Sequence, residues 1–250
     1  MLRAAIAAVL CLMAPLAYAQ ESCTAGDGEW FSKVCFDTPR KSDFYGHNIL
    51  GDTPEWTGIT AYLGPQGLLF NNMDERFRFA FTDTILEDIV PRLWDMNADG
   101  RPEIVFVQTS FDKGARLVVT GIDGLFATTP FIGQPYRWLA PVGAADMDGD
   151  GFTEIAYVDR PHLAKTLRIW RLRGIALEEV TEIAGLTNHK IGQDFISGGV
   201  RDCGQGPEIV VADGDWRTLV GVSMTNGKVA TRKLASFKGT ESFSDALNCR

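Results

Sequence analysis

Two acidic loops with the same spacing constrain this chain more than any other feature of its sequence. One runs from Asp95 to Glu103 and the other from Asp146 to Glu154. Each places acidic or amide residues at its first, third, fifth and ninth positions and a glycine at its sixth, and each leads into a short apolar run. A loop followed by a strand, repeated along the chain, predicts a repeat architecture.

The spacing of these oxygen-bearing residues is typical of a loop that wraps a hard cation such as Ca²⁺, and the glycine permits the positive φ of the turn. An EF-hand is excluded, because the twelfth positions, which need a bidentate glutamate, hold Phe106 and Tyr157. The alternative is a metal-free turn whose carboxylates accept hydrogen bonds from backbone amides. The predicted ligands, with a backbone carbonyl at each seventh position, are Asp95, Asn97, Asp99, Arg101 and Glu103 in the first loop and Asp146, Asp148, Asp150, Phe152 and Glu154 in the second.

The two loops resemble the FG-GAP or VCBS repeat, the blade motif of integrin-α-type β-propellers. The resemblance rests on the pattern Asp-x-(Asp/Asn)-x-Asp-Gly-x-x-Glu followed by apolar residues, which is clear in two copies. It implies an all-β propeller of a bacterial exported type, structural Ca²⁺ carried by the repeats, and adhesion or ligand binding. Glu103 and Glu154 replace the aspartate more usual at the ninth position of the family, which implies a weaker cation site.

Internal repetition extends this pattern over most of the chain. A third copy begins at Asp202, where it is shortened, keeps its strand and loses the ligands. Each copy is followed by a hairpin with a glycine-containing turn, at Asp123-Gly124, Arg173-Gly174 and Asn226-Gly227. Four short strands in a unit of about 50 residues are typical of a propeller blade. The predicted units, within one domain over 20–250, are roughly 44–80, 81–130, 131–185 and 186–236.

The two ends of the chain are predicted to complete a further blade. Residues 243–247 restart the repeat pattern, and residues 29–36 form a strand candidate at the other end. Pairing of these segments, within 237–250 and 21–40, would close a ring of about five blades and leave no strand edge open. An open array of units is the alternative.

Residues 1–19 are predicted to be a cleaved signal peptide. Arg3 gives a positive start, an apolar stretch follows it, and Ala17-Tyr-Ala19 forms a small-residue cleavage site. The apolar run is shorter than the ~20 residues that span a bilayer, so no membrane span is expected in the mature chain. These features predict a periplasmic or secreted protein.

Four cysteines follow the leader, at positions 23, 35, 203 and 249. An even number in an exported chain favours two disulfides over metal-binding or catalytic thiols. Three pairings are open on the sequence alone. The preferred pairing joins Cys23 to Cys35 as a local loop and Cys203 to Cys249 as a staple from the last loop to the chain end.

Composition narrows the choice of partners. The net charge is −8 and no basic stripe offsets it, which argues against nucleic acid as a partner. A hydrophobic content of 45% is enough to build a substantial core in one domain. The expected partner is a protein or a glycan, and a monomer is expected.

Two stretches that follow equivalent strands, Asp159–His162 and Asp213–Arg217, are expected to emerge on one face of the propeller. An arginine or exposed tryptophan there suits a carboxylate or a sugar, whereas the alternative is an interblade salt bridge with the tryptophan packed beneath it. His189 would lie near His47 if their units face one another, although a packed loop histidine is favoured and no zinc-type spacing occurs. The candidate ligand-binding residues are Arg160, His162, His189, Trp216 and Arg217.

No nucleophile elbow, Walker-type loop or dinucleotide fingerprint is present, so nucleophilic catalysis is not supported. Three functions remain. We expect a non-catalytic exported propeller that binds a protein or glycan at its loop face. The first alternative is a hydrolase or lyase with a site in the central channel, which requires carboxylates of shifted pKa to converge from different blades. The second is an envelope scaffold without a small ligand.

Overall fold

A computed structural model describes residues 21–41, 43–71, 75–225 and 227–250. The predicted signal peptide, and Asn226 of the third hairpin turn, lie outside these residues. Strands dominate the described part of the chain, and both of its helices are short. No helix in the described ranges is long and apolar enough to cross a membrane.

The secondary-structure elements follow one another as short strands with two interruptions. The first meander contains β1 (Ser22–Ala25), β2 (Phe31–Arg40), β3 (Glu55–Leu63), helix α1 (Pro65–Asn71) and β4 (Arg76–Ala80). The second contains β5 (Thr84–Leu86), β6 (Arg92–Trp94), β7 (Glu103–Ser110), β8 (Gly114–Thr120) and β9 (Phe126–Thr128). The third contains β10 (Leu139–Ala145), β11 (Glu154–Asp159), β12 (Thr166–Arg173) and β13 (Ala176–Ala184). The fourth contains β14 (Leu186–Thr187), β15 (Gly199–Asp202), β16 (Pro207–Asp213), β17 (Thr218–Thr225) and β18 (Lys228–Ser236), and helix α2 (Glu241–Leu247) follows it.

Hydrogen bonding joins these strands into antiparallel sheets. The first two meanders share one sheet, but only a single residue pair, Trp56 with Leu86, links β3 to β5. The third meander forms a separate four-stranded sheet in the order β10-β11-β12-β13. In the fourth, β14 and β15 both pair with β16, which continues to β17 and β18. The Asp95 loop connects β6 to β7, and the Asp146 loop connects β10 to β11.

Strands β7, β11 and β16 are buried on both faces, and the alternate residues of each enter different hydrophobic clusters. On β7, Ile104 and Phe106 pack toward the first meander, whereas Val105 and Val107 pack toward the third. The same alternation on β11 and β16 places a core between each meander and the next. Sheets stacked face to face in chain order are the arrangement of a β-propeller, which confirms the predicted fold class.

The predicted closing blade is wrong at its C-terminal end. Residues 243–247 belong to helix α2, and the N-terminal strand β2 pairs with β1 and β3 in the first meander. Apolar residues at positions 243, 246 and 247 recur with helical spacing, a signal that outweighs the resemblance to the start of a repeat. Helix α2 covers the apolar face of β16 that a further blade was predicted to cover, so the count of about five blades is not confirmed.

Both disulfides of the preferred pairing are present. Cys23 and Cys35 lie opposite each other on β1 and β2 and are joined by a disulfide. Cys203, in the third and shortened loop, is joined to Cys249 just after α2. The second disulfide therefore joins the segment after α2 to the shortened loop that precedes β16.

We predict that truncating the buried ring of α2 destabilises the protein. Phe243 is buried and packs edge to face against Trp216 and Phe237. Phe243→Ala should lower the free energy of unfolding by about 3 kcal/mol, since it removes a buried aromatic ring and leaves a cavity. Denaturant titration measures the loss. Ser244→Ala, at an exposed position of the same helix, is the control, and equal stability of the two variants would contradict the packing role of α2.

Candidate functional site

The loop from Asp146 to Glu154 is held together by its own carboxylates. Asp146 accepts hydrogen bonds from the backbone N–H groups of Gly149, Asp150 and Gly151, at 2.8 to 3.1 Å. Gly151 has a φ of 88°, the left-handed conformation for which the sequence predicts a glycine. Glu154 is buried, and its Oε2 accepts the backbone N–H of Met147 at 2.9 Å.

Carboxylate oxygens of Asp146, Asp148 and Glu154 lie within 4.8 Å of one another, a donor set that fits a hard cation. The positively charged side chain of Arg171 already occupies the space between these oxygens. The guanidinium of Arg171 donates to Glu154, to Asp150 at 2.7 Å and to Asp148 at 3.4 Å. Arg171 stands opposite Glu154 in the register of β11 and β12, so the sheet itself delivers this charge to the loop.

The loop from Asp95 to Glu103 has the same backbone and a different charge balance. Asp95 accepts from the N–H groups of Asp99 and Gly100, and Glu103 accepts from the N–H of Met96 at 2.7 Å. Among the described residues, the carboxylates of this loop do not converge as those of the second loop do. Burial, together with the charges of neighbouring carboxylates, raises the pKa of Glu103 to about 7, although the hydrogen bond from Met96 opposes that rise.

The third copy keeps the buried glutamate, Glu208, although the other ligand positions of the loop are lost. Glu208 lies at the start of β16 and accepts hydrogen bonds from Arg201 at 2.7 Å and from Arg232 at 2.7 Å. Burial alone would raise the pKa of Glu208, but the two arginines outweigh that effect and lower it. Position nine is therefore a buried structural carboxylate in all three copies, and its charge is balanced differently in each.

A cavity of about 330 Å³ opens among the loops that join the meanders. It lies between the segments before β3, before β10 and after β11, with one residue from the segment before β15. Its lining residues are His47, Ile49, Tyr136, Arg137, Trp138, Arg160, Pro161, His162, Leu163 and Ile191. Histidines, arginines and aromatic rings in one concave site make this cavity the candidate functional site.

His47 is oriented by a buried carboxylate. Its Nδ1 lies 2.6 Å from Oε1 of Glu87, and Oε2 of Glu87 accepts a hydrogen bond from the hydroxyl of Thr109 at 2.9 Å. Because the carboxylate can only accept, Nδ1 carries the proton and Nε2 is left as the basic nitrogen. A histidine held in this way is the arrangement of a general base.

A second buried carboxylate lies behind His47. Glu55, at the start of β3, accepts the backbone N–H of Tyr45 at 2.7 Å, and burial raises its pKa to about 7. The charge of Glu87 adds to that increase, and His47 opposes it. Glu55 belongs to the first meander and Glu87 follows the first strand of the second, so carboxylates from different meanders converge here.

The other two histidines, His162 and His189, form a neutral pair, and His162 lines the cavity. Nε2 of His189 lies 3.0 Å from the carbonyl oxygen of Gln193 and must donate to it, so its Nδ1 accepts from Nε2 of His162 at 3.1 Å. Burial lowers the pKa of His162 to about 4 and also lowers the pKa of His189. Neither histidine carries a charge near neutral pH, and Nδ1 of His162 is left as an acceptor.

An aromatic platform adjoins His47. Tyr136 stacks on Tyr45 with ring centroids 4.8 Å apart, and its backbone N–H donates to the Tyr45 hydroxyl at 2.6 Å. Tyr136 is half exposed, with a relative accessibility of 48%. The φ angles of Tyr136 and Arg160, at 54° and 44°, lie in the left-handed region that side chains other than glycine rarely adopt. Strained backbone at two lining residues is typical of a functional site.

The structure places the predicted ligand-binding residues in two groups. Arg160, His162 and His189 lie at or directly behind the cavity, but the guanidinium of Arg160 is held by both oxygens of Asp159, at 2.8 and 2.9 Å. Trp216 and Arg217 are outside it. Trp216 packs on Phe237 and Phe243, as the alternative expected of the tryptophan. The interblade salt bridge of that alternative is not found for Arg217, whose side chain is 81% exposed and whose acidic neighbour, Asp215, lies in the same turn.

Sequence reasoning missed Tyr45, Glu87, Tyr136 and Arg137. Glu87 comes after β5, which has only three residues and gives no periodic signal, and the other three lie in the loops before β3 and β10. The signal that would have found Glu87 is topological, since β5 and β14 pair with the far ends of β7 and β16, and His189 follows β14 closely. Segments that follow equivalent strands meet at the same face of the array.

Comparison with known proteins identifies the repeats. The FG-GAP-like repeat family matches residues 95–157, which contain both acidic loops, and confirms that the chain carries FG-GAP-like repeats. Among proteins of curated function, none matches the sequence.

Solved structures that match the fold include a GH43 β-xylosidase/α-arabinofuranosidase from a compost microbial metagenome, in complex with xylotriose in a calcium-free form. It is 14% identical, with 87% of this chain and 77% of that chain covered and a TM-score of 0.44. A GH43_1 enzyme from Xanthomonas citri, complexed with xylose, is 12% identical, with 87% and 73% covered and a TM-score of 0.41. The β-xylosidase RS223 is 10% identical, with 87% and 77% covered and a TM-score of 0.40.

These matches contradict the expectation of a non-catalytic binding protein, because the matched structures are enzymes, and that expectation is withdrawn. At such low identity and TM-score, no substrate and no catalytic residue passes from them to this chain. An activity for this chain therefore rests on the residues of the cavity.

We predict that Glu55 makes the stability of the protein depend on pH. Its pKa rises from 4.5 to about 7 on folding, so its contribution to stability is fully present below the unfolded value and is lost as pH rises through the folded value. Glu55→Gln, which keeps the acceptor oxygen for Tyr45, should reduce the loss of stability between about pH 5 and about pH 8 by at least about 1 kcal/mol.

Denaturant titrations of both proteins at the two pH values test this. Glu208→Gln is the matched control. Its arginine partners lower the pKa of Glu208, so that variant should be less stable than the wild type at both pH values. An unchanged pH slope in Glu55→Gln would show that Glu55 ionises as readily in the folded chain as in the unfolded one.

Proposed function

We propose that the protein is a hydrolase in which His47 acts as the general base on a water molecule in the loop-face cavity. The observation that carries this proposal is the contact of 2.6 Å between Nδ1 of His47 and the buried carboxylate of Glu87. This contact fixes the tautomer and leaves Nε2 to take a proton. Glu87 is a positioning residue, since it acts through His47.

Other residues of the cavity can stabilise charge in the transition state and hold the substrate. Arg137 and Arg160 line the cavity and can stabilise negative charge that develops in the transition state. The half-exposed ring of Tyr136 offers an apolar face against which a substrate ring can stack. Glu55 and Glu87 meet the requirement that carboxylates converge from different meanders, with Glu55 at a raised pKa.

A two-carboxylate glycosidase is a poorer fit than a histidine-based hydrolase. Most such enzymes have a pair of carboxylates that flank the scissile bond. The described lining of this cavity contains no carboxylate, and Glu55 and Glu87 lie behind His47 around a gap of only about 10 Å³.

A lyase is the second candidate. Proton abstraction from carbon by Nε2 of His47 needs the same base, with a cation nearby to stabilise the carbanion. The neighbourhood of Arg137 and His47 on the cavity wall favours this alternative. The two reactions differ in their products, because a lyase creates a carbon–carbon double bond and a hydrolase does not.

We also propose that the second acidic loop is a structural Ca²⁺ site in competition with Arg171. Asp146, Asp148, Asp150, Glu154 and the carbonyl of Phe152 would hold the ion, in line with the convergence of three of these carboxylates. Arg171 neutralises the same oxygens and would have to move aside. For the Asp95 loop, Ca²⁺ binding stays a prediction.

Export and the partner class are also proposals. We infer a periplasmic or secreted protein, which two disulfides support because such bonds persist in oxidising compartments. The negative net charge supports the absence of nucleic acid partners. A monomer remains our expectation.

We predict that His47→Gln lowers the rate of hydrolysis by 100-fold or more, on the order of the contribution of a general base. The wild-type protein is assayed against nitrophenyl glycosides, nitrophenyl esters and xylo-oligosaccharides, with absorbance of unsaturated products followed in parallel. Arg76→Gln, at an exposed position of β4 far along the first meander, is the control and should keep full activity.

The variant Glu87→Gln tests whether Glu87 acts through His47 or only stabilises the fold. It should lower the rate and shift the pH profile, because it removes the negative charge that stabilises protonated His47. Added imidazole should restore part of the activity of a His47→Gly variant. A substrate turned over equally by the wild type and His47→Gln would contradict the proposal.

We predict that Arg171→Leu binds Ca²⁺ at least tenfold more tightly than the wild type, because the competing cation is removed while the oxygen ligands remain. Calorimetric titration with Ca²⁺ measures both affinities. Asp148→Ala in the Arg171→Leu background should abolish the gain. Equal affinity with and without Arg171 would show that the ion, if it binds, does so elsewhere.

A further inference from the structure

The charged side chains in the described lining of the cavity are two arginines, Arg137 and Arg160, and the lining contains neither aspartate nor glutamate. This contrasts with the chain as a whole, whose net charge is −8. An arginine that the protein does not neutralise at such a wall favours an anionic ligand.

The two arginines of the lining differ in whether the protein neutralises them. Arg160 is paired with both oxygens of Asp159. Arg137 is different, because its Nη1 donates to the carbonyl oxygen of Tyr136 at 2.8 Å and it forms no ion pair with a carboxylate of the described residues. One guanidinium is thus left with unused donors at the cavity wall.

The position of Arg137 relates this free charge to the rest of the site. It lies between Tyr136, which presents the exposed ring, and Trp138, whose buried Nε1 donates to the carbonyl oxygen of Glu87 at 2.8 Å. The backbone of Arg137 also accepts the N–H of Ala115 at 2.8 Å. The segment that carries the guanidinium is therefore anchored on both sides, and it connects directly to the residue that orients His47.

We propose that the substrate carries a carboxylate on a sugar-sized ring, as in a uronic acid, and that Arg137 is the residue that selects it. A guanidinium matches a carboxylate with two parallel N–H···O bonds, which gives orientation as well as affinity. The ring would stack on Tyr136, and a cavity of about 330 Å³ accommodates one such unit. The inference rests on the proposed function for the identity of the site, and it adds the substrate class.

Binding measurements test this inference without turnover. Calorimetric titrations of glucuronate, methyl glucuronate ester, glucose and glucose 6-phosphate are carried out on the wild-type protein. We expect glucuronate to bind at least tenfold more tightly than the ester or glucose, because only the acid offers a charged acceptor pair. Tighter binding of glucose 6-phosphate than of glucuronate would overturn the carboxylate assignment in favour of a phosphate.

Variants of Arg137 assign the selectivity to a residue. Arg137→Gln should weaken glucuronate binding at least tenfold while leaving the weak binding of glucose unchanged, and Arg137→Lys should recover part of the loss, since a lysine keeps the charge without the fork. Arg76→Gln should bind glucuronate like the wild type. Melting temperatures of all variants establish that they are folded. Equal binding of glucuronate by the wild type and Arg137→Gln would overturn the inference.

The two proposals fail in different ways. Glucuronate binding that depends on Arg137, together with turnover that is indifferent to His47→Gln, would leave the anion site standing and remove the proposed base. Turnover that depends on His47 with no preference for the carboxylate would do the reverse.

Discussion

A buried glutamate at the start of a central strand is the constraint on which this array depends. Glu55, Glu103, Glu154 and Glu208 are each at most 7% exposed and lie at or next to the first residue of β3, β7, β11 or β16. A carboxylate in such a place must be hydrogen-bonded and either neutralised or protonated. Three of the four hold a backbone N–H of the preceding loop, so the entry to each strand is fixed by one side chain.

The way each charge is balanced distinguishes the repeats. Arg201 and Arg232 hold the pKa of Glu208 below its usual value, whereas burial raises the pKa of Glu55, Glu103 and Glu154. Of these last three, Glu154 alone is hydrogen-bonded to an arginine among the described residues, and that arginine is Arg171. The acidic loops thus have a structural role, and in the second loop the guanidinium of Arg171 on β12 supplies a positive charge to the carboxylates. The functional cavity is a separate feature, formed by loops that the stacked meanders bring to one face.

Much of the fold is readable from the sequence because the repeats carry two strong signals. The apolar runs Ile104–Val107 and Ile155–Val158 predict strands, and the loop pattern sets the register of the repeats. The strand predicted for residues 243–247 is wrong, because the helical spacing of their apolar residues outweighs a short resemblance to the start of a repeat. Both disulfides followed the preferred pairing, although spacing alone left three pairings open.

The site was predicted less well, for a physical reason. Arg160 and His162 are predicted from their place after a strand, and His189 from a possible approach to His47. The groups on which the chemistry of the cavity depends, however, come from far apart in the chain. His47 and Glu87 are brought to 2.6 Å only by the stacking of the first two meanders, and Tyr136 acquires its position through a strained backbone. Contacts of this kind depend on tertiary packing and leave no local pattern.

Nitrogen-15 NMR of the His47 imidazole reads directly whether Glu87 fixes its tautomer. In the wild type, Nδ1 should carry a low-field, slowly exchanging proton, a signal that is absent from His47→Gln and is lost or shifted upfield in Glu87→Gln. In the neutral imidazole, Nε2 should have the chemical shift of an unprotonated nitrogen. A neutral imidazole with its proton on Nε2, or a spectrum that is the same with and without the Glu87 carboxylate, would show that Glu87 does not orient His47.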